Sequence, residues 1–155
     1  MNADTEALER YLRANIPLSA AMQLHVLAID AEGVRLGAPL APNVNHFGTV
    51  FGGSAAALAT LSGWSLLHVH LCDLPFPTRI VVQRSSIDYL APMPGDFEAC
   101  CATPPEEAWE RFHRALERRG RARMALHGEL RAEGARAATF HGVYVAVRLP
   151  GAEAT

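Results

Sequence analysis

The longest uncharged stretch of the chain lies near its middle. No Asp, Glu, Lys or Arg occurs between Leu36 and Cys72, whereas charged residues are spread along the rest of the chain. Within this stretch, residues 52–71 have the pattern of one helix of about 20 residues, roughly 30 Å long. Its apolar residues cover almost the whole circumference, which is typical of a membrane span or of a helix buried at the centre of a domain. The first half is mainly Gly, Ala, Ser and Thr, and the second half contains His68 and His70, so the pattern favours the buried helix.

Two further helices are predicted outside this stretch. Leu8, Leu12 and Ile16 recur every four residues and form one narrow apolar face, with Asp4 or Thr5 as the cap and Pro17 as the end. Residues 106–120 form an amphipathic helix, with acidic residues in the first turn, arginines in the last turn, and a terminal glycine.

Six extended runs surround the central helix and are separated mainly by short turns with Gly, Pro or Asp. They are residues 24–30, 34–40, 79–92, 97–103, 122–132 and 137–149. Strands joined by short turns form an antiparallel sheet, and the apolar helix is the one long element that could cover its concave face. The sequence therefore predicts an α+β fold in which a curved antiparallel sheet wraps around the central helix, with helix 106–120 as an extra, inserted element.

Composition restricts the class of protein. A length of 155 residues indicates one domain, residues 1–155, and a net charge of −2 gives no basic face for nucleic acid. The three cysteines, Cys72, Cys100 and Cys101, have no CxxC spacing, which favours reduced thiols. The N-terminal segment lacks the charged and apolar regions of a secretory signal. We therefore expect a cytoplasmic protein that binds neither a membrane nor a metal.

The loop before the central helix and its first turn carry the motif Asn-x-x-Gly-x-x-Phe-Gly-Gly, residues 45–53. This motif, together with the order of the elements, resembles the hotdog-fold acyl-CoA thioesterases. In the phenylacetate-pathway branch of that superfamily the motif is N-x-x-G-x-x-H-G-G, followed by a helix with L-A-D. Two positions differ: Phe51 stands where the histidine is usual, and Thr60 where the helix carboxylate is usual. The matching positions are Asn45, Gly48, Gly52, Gly53, Leu58 and Ala59.

Two segments, NHFGTVFGGS (residues 45–54) and ALATLSGW (residues 57–64), resemble more closely the thioesterase domain found behind an acetyltransferase domain in some bacteria, the YiiD C-terminal type. The strand and turn of residues 87–96 also resemble the segment that follows the helix in these enzymes. The resemblance implies a hotdog fold and a homodimer or a dimer of dimers, with sites between subunits. It implies a thioesterase that hydrolyses acyl-CoA or acyl carrier protein thioesters without a cofactor, since coenzyme A is part of the substrate.

Thioester hydrolysis needs a polarised carbonyl and an activated water. Backbone N–H groups at a helix N-terminus are unpaired and favour negative charge, and Gly52 and Gly53 would let a thioester oxygen approach them. The alternative is that these glycines allow close packing of the helix on the sheet. Asn45 could orient the water or the carbonyl, or it could be a turn residue that binds its own backbone. His46 could act as general base, or it could be an ordinary loop histidine.

The missing helix carboxylate leaves the identity of the base open. Thr60 can hold a water but cannot remove its proton. Asp88 is the nearest replacement, either near a partner's helix terminus or as a structural residue of its strand. The neighbouring motif residues are predicted to bind substrate: Phe47, Gly48, Phe51 and Ser54.

Arginines cluster in and after the inserted helix, and they could bind the phosphates of coenzyme A or a carrier protein, or form a solvated helix face. They are Arg111, Arg114, Arg118, Arg119, Arg121 and Arg123. Two other functions stay open: a hydroxyacyl dehydratase on the same fold, and a fatty-acyl binding module that kept the tunnel but lost its base.

Overall fold

A computed structural model describes residues 4–150 of the chain. Four α-helices are present in this range: α1 (Thr5–Asn15), α2 (Pro17–Ala21), α3 (Gly52–Leu71) and α4 (Glu106–Arg119). A short 3-10 helix, Ala41–Asn43, precedes the loop that leads into α3. The central helix α3 has the bounds that the uncharged stretch predicts.

One six-stranded antiparallel sheet contains all the strands, in the spatial order β1-β2-β4-β5-β6-β3. The strands are β1 (His25–Ile29), β2 (Gly33–Ala38), β3 (Thr78–Tyr89), β4 (Phe97–Ala102), β5 (Arg121–Ala132) and β6 (Ala135–Arg148). Strands β1 and β3 are the two edges, and β3 follows α3 in the chain but pairs with β6. The predicted α+β architecture, a curved antiparallel sheet around α3 with the inserted helix α4, is confirmed.

Strand alternation assigns the two faces of the sheet. Four side chains of β6 are buried on the concave face that covers α3: Ala138, Phe140, Tyr144 and Ala146. The alternate residues His141, Val143 and Val145 are only half-buried. A residue paired directly with one of these side chains lies on the same face. The register of β3 against β6 therefore fixes which β3 side chains face α3.

The central helix is buried over most of its surface, with eleven of its twenty residues in the core. The remaining side contains Ala56, Thr60, Trp64 and His68, which recur every four residues and are half-buried. Trp64 donates from its ring nitrogen to the Ile80 carbonyl at 3.2 Å, so this side of α3 lies along β3. Within residues 4–150, no helix combines the length and apolarity that a membrane crossing requires.

The N-terminal segment differs from the prediction at one point. Asp4 caps α1 by accepting from the Glu6 N–H at 2.9 Å, and Leu8 and Leu12 are buried as predicted. Pro17 ends α1 but is also the first residue of α2. Proline is tolerated there because the first N–H of a helix has no partner within the helix.

Candidate active site

The loop before α3 is closed by the side chain of Asn45. Its oxygen accepts from the N–H groups of Phe47 (2.8 Å) and Thr49 (3.2 Å), and its nitrogen donates to the Thr49 hydroxyl at 2.9 Å. Gly48 takes a positive φ of 80° inside this turn, a conformation that favours glycine. Asn45 therefore has the local hydrogen bonds of a turn residue, and its amide is in use before any ligand arrives.

The N-terminus of α3 has no side-chain cap. Phe51 is the N-cap residue in extended conformation and makes no capping hydrogen bond with its side chain. The first backbone bond runs from the Ala55 N–H to the Phe51 carbonyl at 3.1 Å. The N–H groups of Gly52, Gly53 and Ser54 thus point out of the helix end, which carries a partial positive charge.

Tyr89 of β3 holds this helix end. Its hydroxyl donates to the Gly52 carbonyl at 2.6 Å, and a methyl group added at Gly52 would lie 3.3 Å from the same hydroxyl. A methyl group at Gly53 would lie 2.8 Å from Cζ of the Phe51 ring, so a side chain at Gly53 would displace Phe51. An aromatic side chain therefore lies close to the backbone of each glycine, Tyr89 at Gly52 and Phe51 at Gly53.

A cleft of about 380 Å³ opens beside the helix end. No charged side chain lines it, and Leu90 at its rim is 57% exposed. Phe51 and Phe47 nearby are 57% and 80% exposed, so the surroundings of the cleft are apolar and open. The lining residues are Asn45, Thr49, Val50, Gly52, Tyr89, Leu90, Ala91, Pro92 and Met93.

His46 and Thr60, the two other site residues predicted near this end of α3, do not line the cleft. His46 is exposed, and its ring centroid lies 3.9 Å from that of Phe47. Thr60 is half-buried, eight residues into α3, which places it roughly 12 Å along the helix from Gly52. Its carbonyl accepts from the Tyr144 hydroxyl at 2.7 Å. Within one chain, Thr60 is therefore separate from the N-terminus of α3.

Asp88 lies on the other face of the sheet from α3. It pairs with Thr139 of β6, whereas its neighbour Tyr89 pairs with Ala138 on the concave face and reaches Gly52. Because adjacent strand residues point to opposite sides, the exposed Asp88 carboxylate points away from the helix end of its own chain.

Two tyrosines in contact with α3 were not identified from the sequence. Tyr89 and Tyr144 each donate a hydroxyl proton to a carbonyl of the central helix. Burial raises the pKa of Tyr89, which keeps its phenol protonated and able to donate. The available signal was strand alternation, since Tyr89 lies two positions after the apolar Ile87 and Tyr144 two positions before the apolar Ala146.

No group of three or more His, Cys, Asp or Glu side chains that could hold a metal ion occurs within residues 4–150. The polar groups that line the cleft at the end of α3 include backbone N–H groups, the Asn45 amide, the Thr49 hydroxyl and the Tyr89 phenol. Such a set can polarise a carbonyl by hydrogen bonds, and its neutral character suits a ligand with an uncharged reactive group.

Solved structures share this fold. A protein of unknown function from Chlorobaculum tepidum is 27% identical, with 94% of each chain covered and a TM-score of 0.88. A protein of Shewanella oneidensis named "putative thioesterase" is 30% identical, with 92% of this chain and 96% of that chain covered and a TM-score of 0.81. A "probable thioesterase" of Pseudomonas aeruginosa is 23% identical, with 96% and 99% covered and a TM-score of 0.80.

The sheet that wraps around α3 is thus the hotdog fold of these relatives. The model of the family described as "Putative thioesterase (yiiD_Cterm)" matches residues 5–148, which include every helix and strand described above. The chain belongs to this family of hotdog-fold thioesterases.

Proposed function

We propose that this protein hydrolyses acyl thioesters of coenzyme A or of an acyl carrier protein, with the thioester carbonyl bound at the N-terminus of α3. The observation that carries the proposal is the uncapped helix end beside an apolar cleft. The N–H groups of Gly52 and Gly53 would stabilise the negative charge that develops on the thioester oxygen. The exposed aromatic rings around the cleft provide apolar surface for the acyl group.

The water would be activated by His46. It is the only titratable side chain between Asn43 and Phe51, and an imidazole can take a proton from water near neutral pH. Thr60 cannot act as a base, and Asp88 faces away from the helix end in its own chain. The neighbouring Phe47, Gly48, Phe51 and Ser54 would shape the entrance for the substrate.

We also propose that two copies associate through β3, as a dimer or a dimer of dimers. Strand β3 is a twelve-residue sheet edge whose outer side is unpaired within the described residues, and its Val81 and Val82 are 45% and 44% exposed. A long exposed edge with apolar side chains favours pairing with another strand. A second copy there would also cover the half-buried side of α3 and bring a partner's helix close to it.

A non-catalytic acyl-binding module is the second candidate. It is favoured by the lining of the cleft, which contains no acidic or basic side chain, and by Thr60 at the position where the resemblance leads one to expect a carboxylate. Such a module would bind acyl-CoA and release no thiol.

Thiol release from short, long and aromatic acyl-CoA substrates tests the proposal. Gly52→Ala places a methyl group in the cleft, and we expect kcat to fall by about tenfold or more because one N–H donor is blocked. Gly95→Ala is the matched control, since its added methyl group would lie at an ordinary 3.6 Å from Glu133. His46→Gln should lower kcat, whereas His127→Gln, an exposed histidine of β5, should not.

Equal turnover by wild type and Gly52→Ala would contradict the helix-end site. If no substrate releases thiol while acyl-CoA raises the melting temperature of the wild type, the binding module is the better description. Light scattering after gel filtration would test the dimer, and a monomer at micromolar concentration would contradict it.

A further inference from the structure

A cavity of about 530 Å³ lies at the C-terminal end of α3, opposite to the cleft beside Gly52. Residues of α1, of the C-terminal half of α3, of the following loop and of the start of β3 form most of its walls. Of the α3 residues that line this cavity, Trp64 is the nearest to Gly52 along the helix. The Trp64 indole therefore lies between the cavity and the N-terminal half of α3.

Trp64 is fixed by its neighbours on three elements. Its ring nitrogen donates to the Ile80 carbonyl of β3 at 3.2 Å, so the indole spans the space between helix and strand. Its ring stacks with that of His68 at a centroid distance of 4.7 Å, and the His68 ring stacks with that of Tyr11 at 4.7 Å. A side chain with both a hydrogen-bond partner and a stacking partner is held in one orientation. Trp64 is thus a fixed barrier between α3 and β3.

The N-terminal half of α3 presents small side chains to β3. Ala56 and Thr60 are half-buried and precede Trp64 at spacings of four residues, which places them on the same side of the helix. A methyl group and a threonine side chain reach less far from the helix than an indole does. Space is therefore left between α3 and β3 from the helix N-terminus up to Trp64.

Strand β3 forms the opposite wall of this space. Ile80, Val82, Ile87 and Tyr89 each pair with a buried β6 residue of the concave face, so they lie on the side of α3. Val82 is 44% exposed, and no other part of residues 4–150 covers this wall fully. The charged residues of β3 pair with residues of the other sheet face: Arg79, Arg84 and Asp88.

The space between Ala56 and Thr60 of α3 and Val82 and Ile87 of β3 is called the α3–β3 groove below. It begins at the uncapped helix end, where the Tyr89 hydroxyl donates to the Gly52 carbonyl at 2.6 Å, and it ends at the Trp64 indole. Trp64 follows Gly52 by twelve helical positions, which corresponds to roughly 18 Å. Uncharged walls of this kind suit a hydrocarbon chain, because no charged group loses its hydration when the chain binds.

We propose that the acyl chain of the thioester lies in the α3–β3 groove and that Trp64 limits its length. This inference rests on the proposed thioesterase function, since it takes the thioester carbonyl to bind at Gly52 and Gly53. An extended, unbranched chain of about 14 carbons spans the roughly 18 Å between the helix end and Trp64, whereas a longer chain meets the indole. Trp64 touches only the end of the chain, so it determines specificity and takes no part in the chemistry.

The second copy proposed to pair at β3 would lie at the open side of the groove. A bound chain would then be enclosed by α3, β3 and the partner, and its apolar surface would be removed from water. The cavity behind Trp64 would stay separate from the chain as long as the indole is present.

The ratio of kcat/KM for tetradecanoyl-CoA to that for octadecanoyl-CoA tests the role of Trp64 in the full-length protein. We expect wild type to prefer tetradecanoyl-CoA, and Trp64→Ala to lower the ratio by about tenfold or more, because the longer chain can then enter the cavity. Cys72→Ala is the matched control, since Cys72 lines the same cavity and its removal leaves the indole in place. The ratio in this control should stay within about twofold of wild type.

Ala56→Leu tests the groove in the opposite direction and leaves Trp64 with its contacts intact. The added side chain lies about 6 Å along the helix from Gly52, within the path of the chain. We expect the ratio of kcat/KM for tetradecanoyl-CoA to that for butanoyl-CoA to fall by about tenfold or more. This variant decides the question if Trp64→Ala does not fold.

Binding separates this inference from the proposed hydrolysis. If no thiol is released, the rise in melting temperature caused by saturated acyl-CoA should still increase with chain length up to about 14 carbons in wild type, and to longer chains in Trp64→Ala. That result would support the groove, and only the proposed hydrolysis would fail.

The inference would be overturned by a wild type that uses octadecanoyl-CoA as well as tetradecanoyl-CoA, or that uses only short or aromatic acyl groups. An unchanged chain-length preference in both Trp64→Ala and Ala56→Leu would also overturn it. The same holds if wild type neither binds nor hydrolyses acyl-CoA of any chain length.

Discussion

Gly63→Ala in the middle of α3 is expected to destabilise the protein, although alanine is the better helix former. A methyl group added at Gly63 would lie 2.7 Å from Cζ and 2.8 Å from Cε2 of Tyr144 and would also overlap its hydroxyl oxygen. Tyr144 is fully buried, with 0% of its surface exposed, and its hydroxyl donates to the Thr60 carbonyl at 2.7 Å. The ring can therefore move aside only by shifting core residues and lengthening this hydrogen bond.

Three contributions set the magnitude. Helix propensity favours alanine over glycine by about 1 kcal/mol. Overpacking of a well-packed core costs about 1 to 3 kcal/mol, and a weakened buried hydrogen bond costs about 1 kcal/mol more. The net loss in the free energy of unfolding is then about 1 to 3 kcal/mol. For a domain of this size it corresponds to a decrease in melting temperature of roughly 3 to 10 °C.

Urea unfolding followed by circular dichroism measures this loss for Gly63→Ala, for Tyr144→Phe and for the double variant. Removal of the hydroxyl relieves part of the overlap, so Gly63→Ala should cost about 1 kcal/mol less in the Tyr144→Phe background. Gly95→Ala serves as a control without a close contact. The reasoning would be refuted if Gly63→Ala raised the free energy of unfolding, as propensity alone predicts.

Three further outcomes can be checked with the same variants and assays. Tyr89→Phe removes the hydrogen bond to the Gly52 carbonyl, and we expect kcat/KM for acyl-CoA to fall several-fold, with a loss of stability of about 1 kcal/mol; unchanged kinetics would separate Tyr89 from the site. Asp88→Asn should leave kcat within about twofold of wild type because the carboxylate faces away from α3, and a large loss would indicate that Asp88 serves a partner's site. Burial, and to a lesser extent the charge of His113, lowers the pKa of His70 from an ordinary value of 6.5 to about 4. Between these two pH values the unfolded chain binds a proton at His70 that the folded chain does not bind. Stability should thus be complete above about pH 6.5 and decrease toward pH 4, and His70→Gln should flatten that decrease in urea titrations at each pH.

Much of the fold follows from local pattern. The absence of charge from Leu36 to Cys72 identified α3, and its bounds of Gly52–Leu71 are as predicted because few residues of a central helix meet solvent. Most strand ends were placed within one or two residues, except that β3 stops at Tyr89 and not at Pro92, where the chain turns toward α3. Pro17 shows the limit of local rules, since the residue that ends α1 also begins α2.

The candidate site depended on what the tertiary structure brings together. A two-residue alternation along β3 shows that Asp88 and Tyr89 face opposite sides, but only the pairing with β6 shows which of them faces α3. Likewise, six arginines between residues 111 and 123 are equivalent in sequence, and only the fold groups three of them with Gln83 in one cleft. Local chemistry determines helices, strands and turns. The partners of a side chain across the sheet come from distant positions in the chain, and the distance between them in sequence does not show that they are in contact.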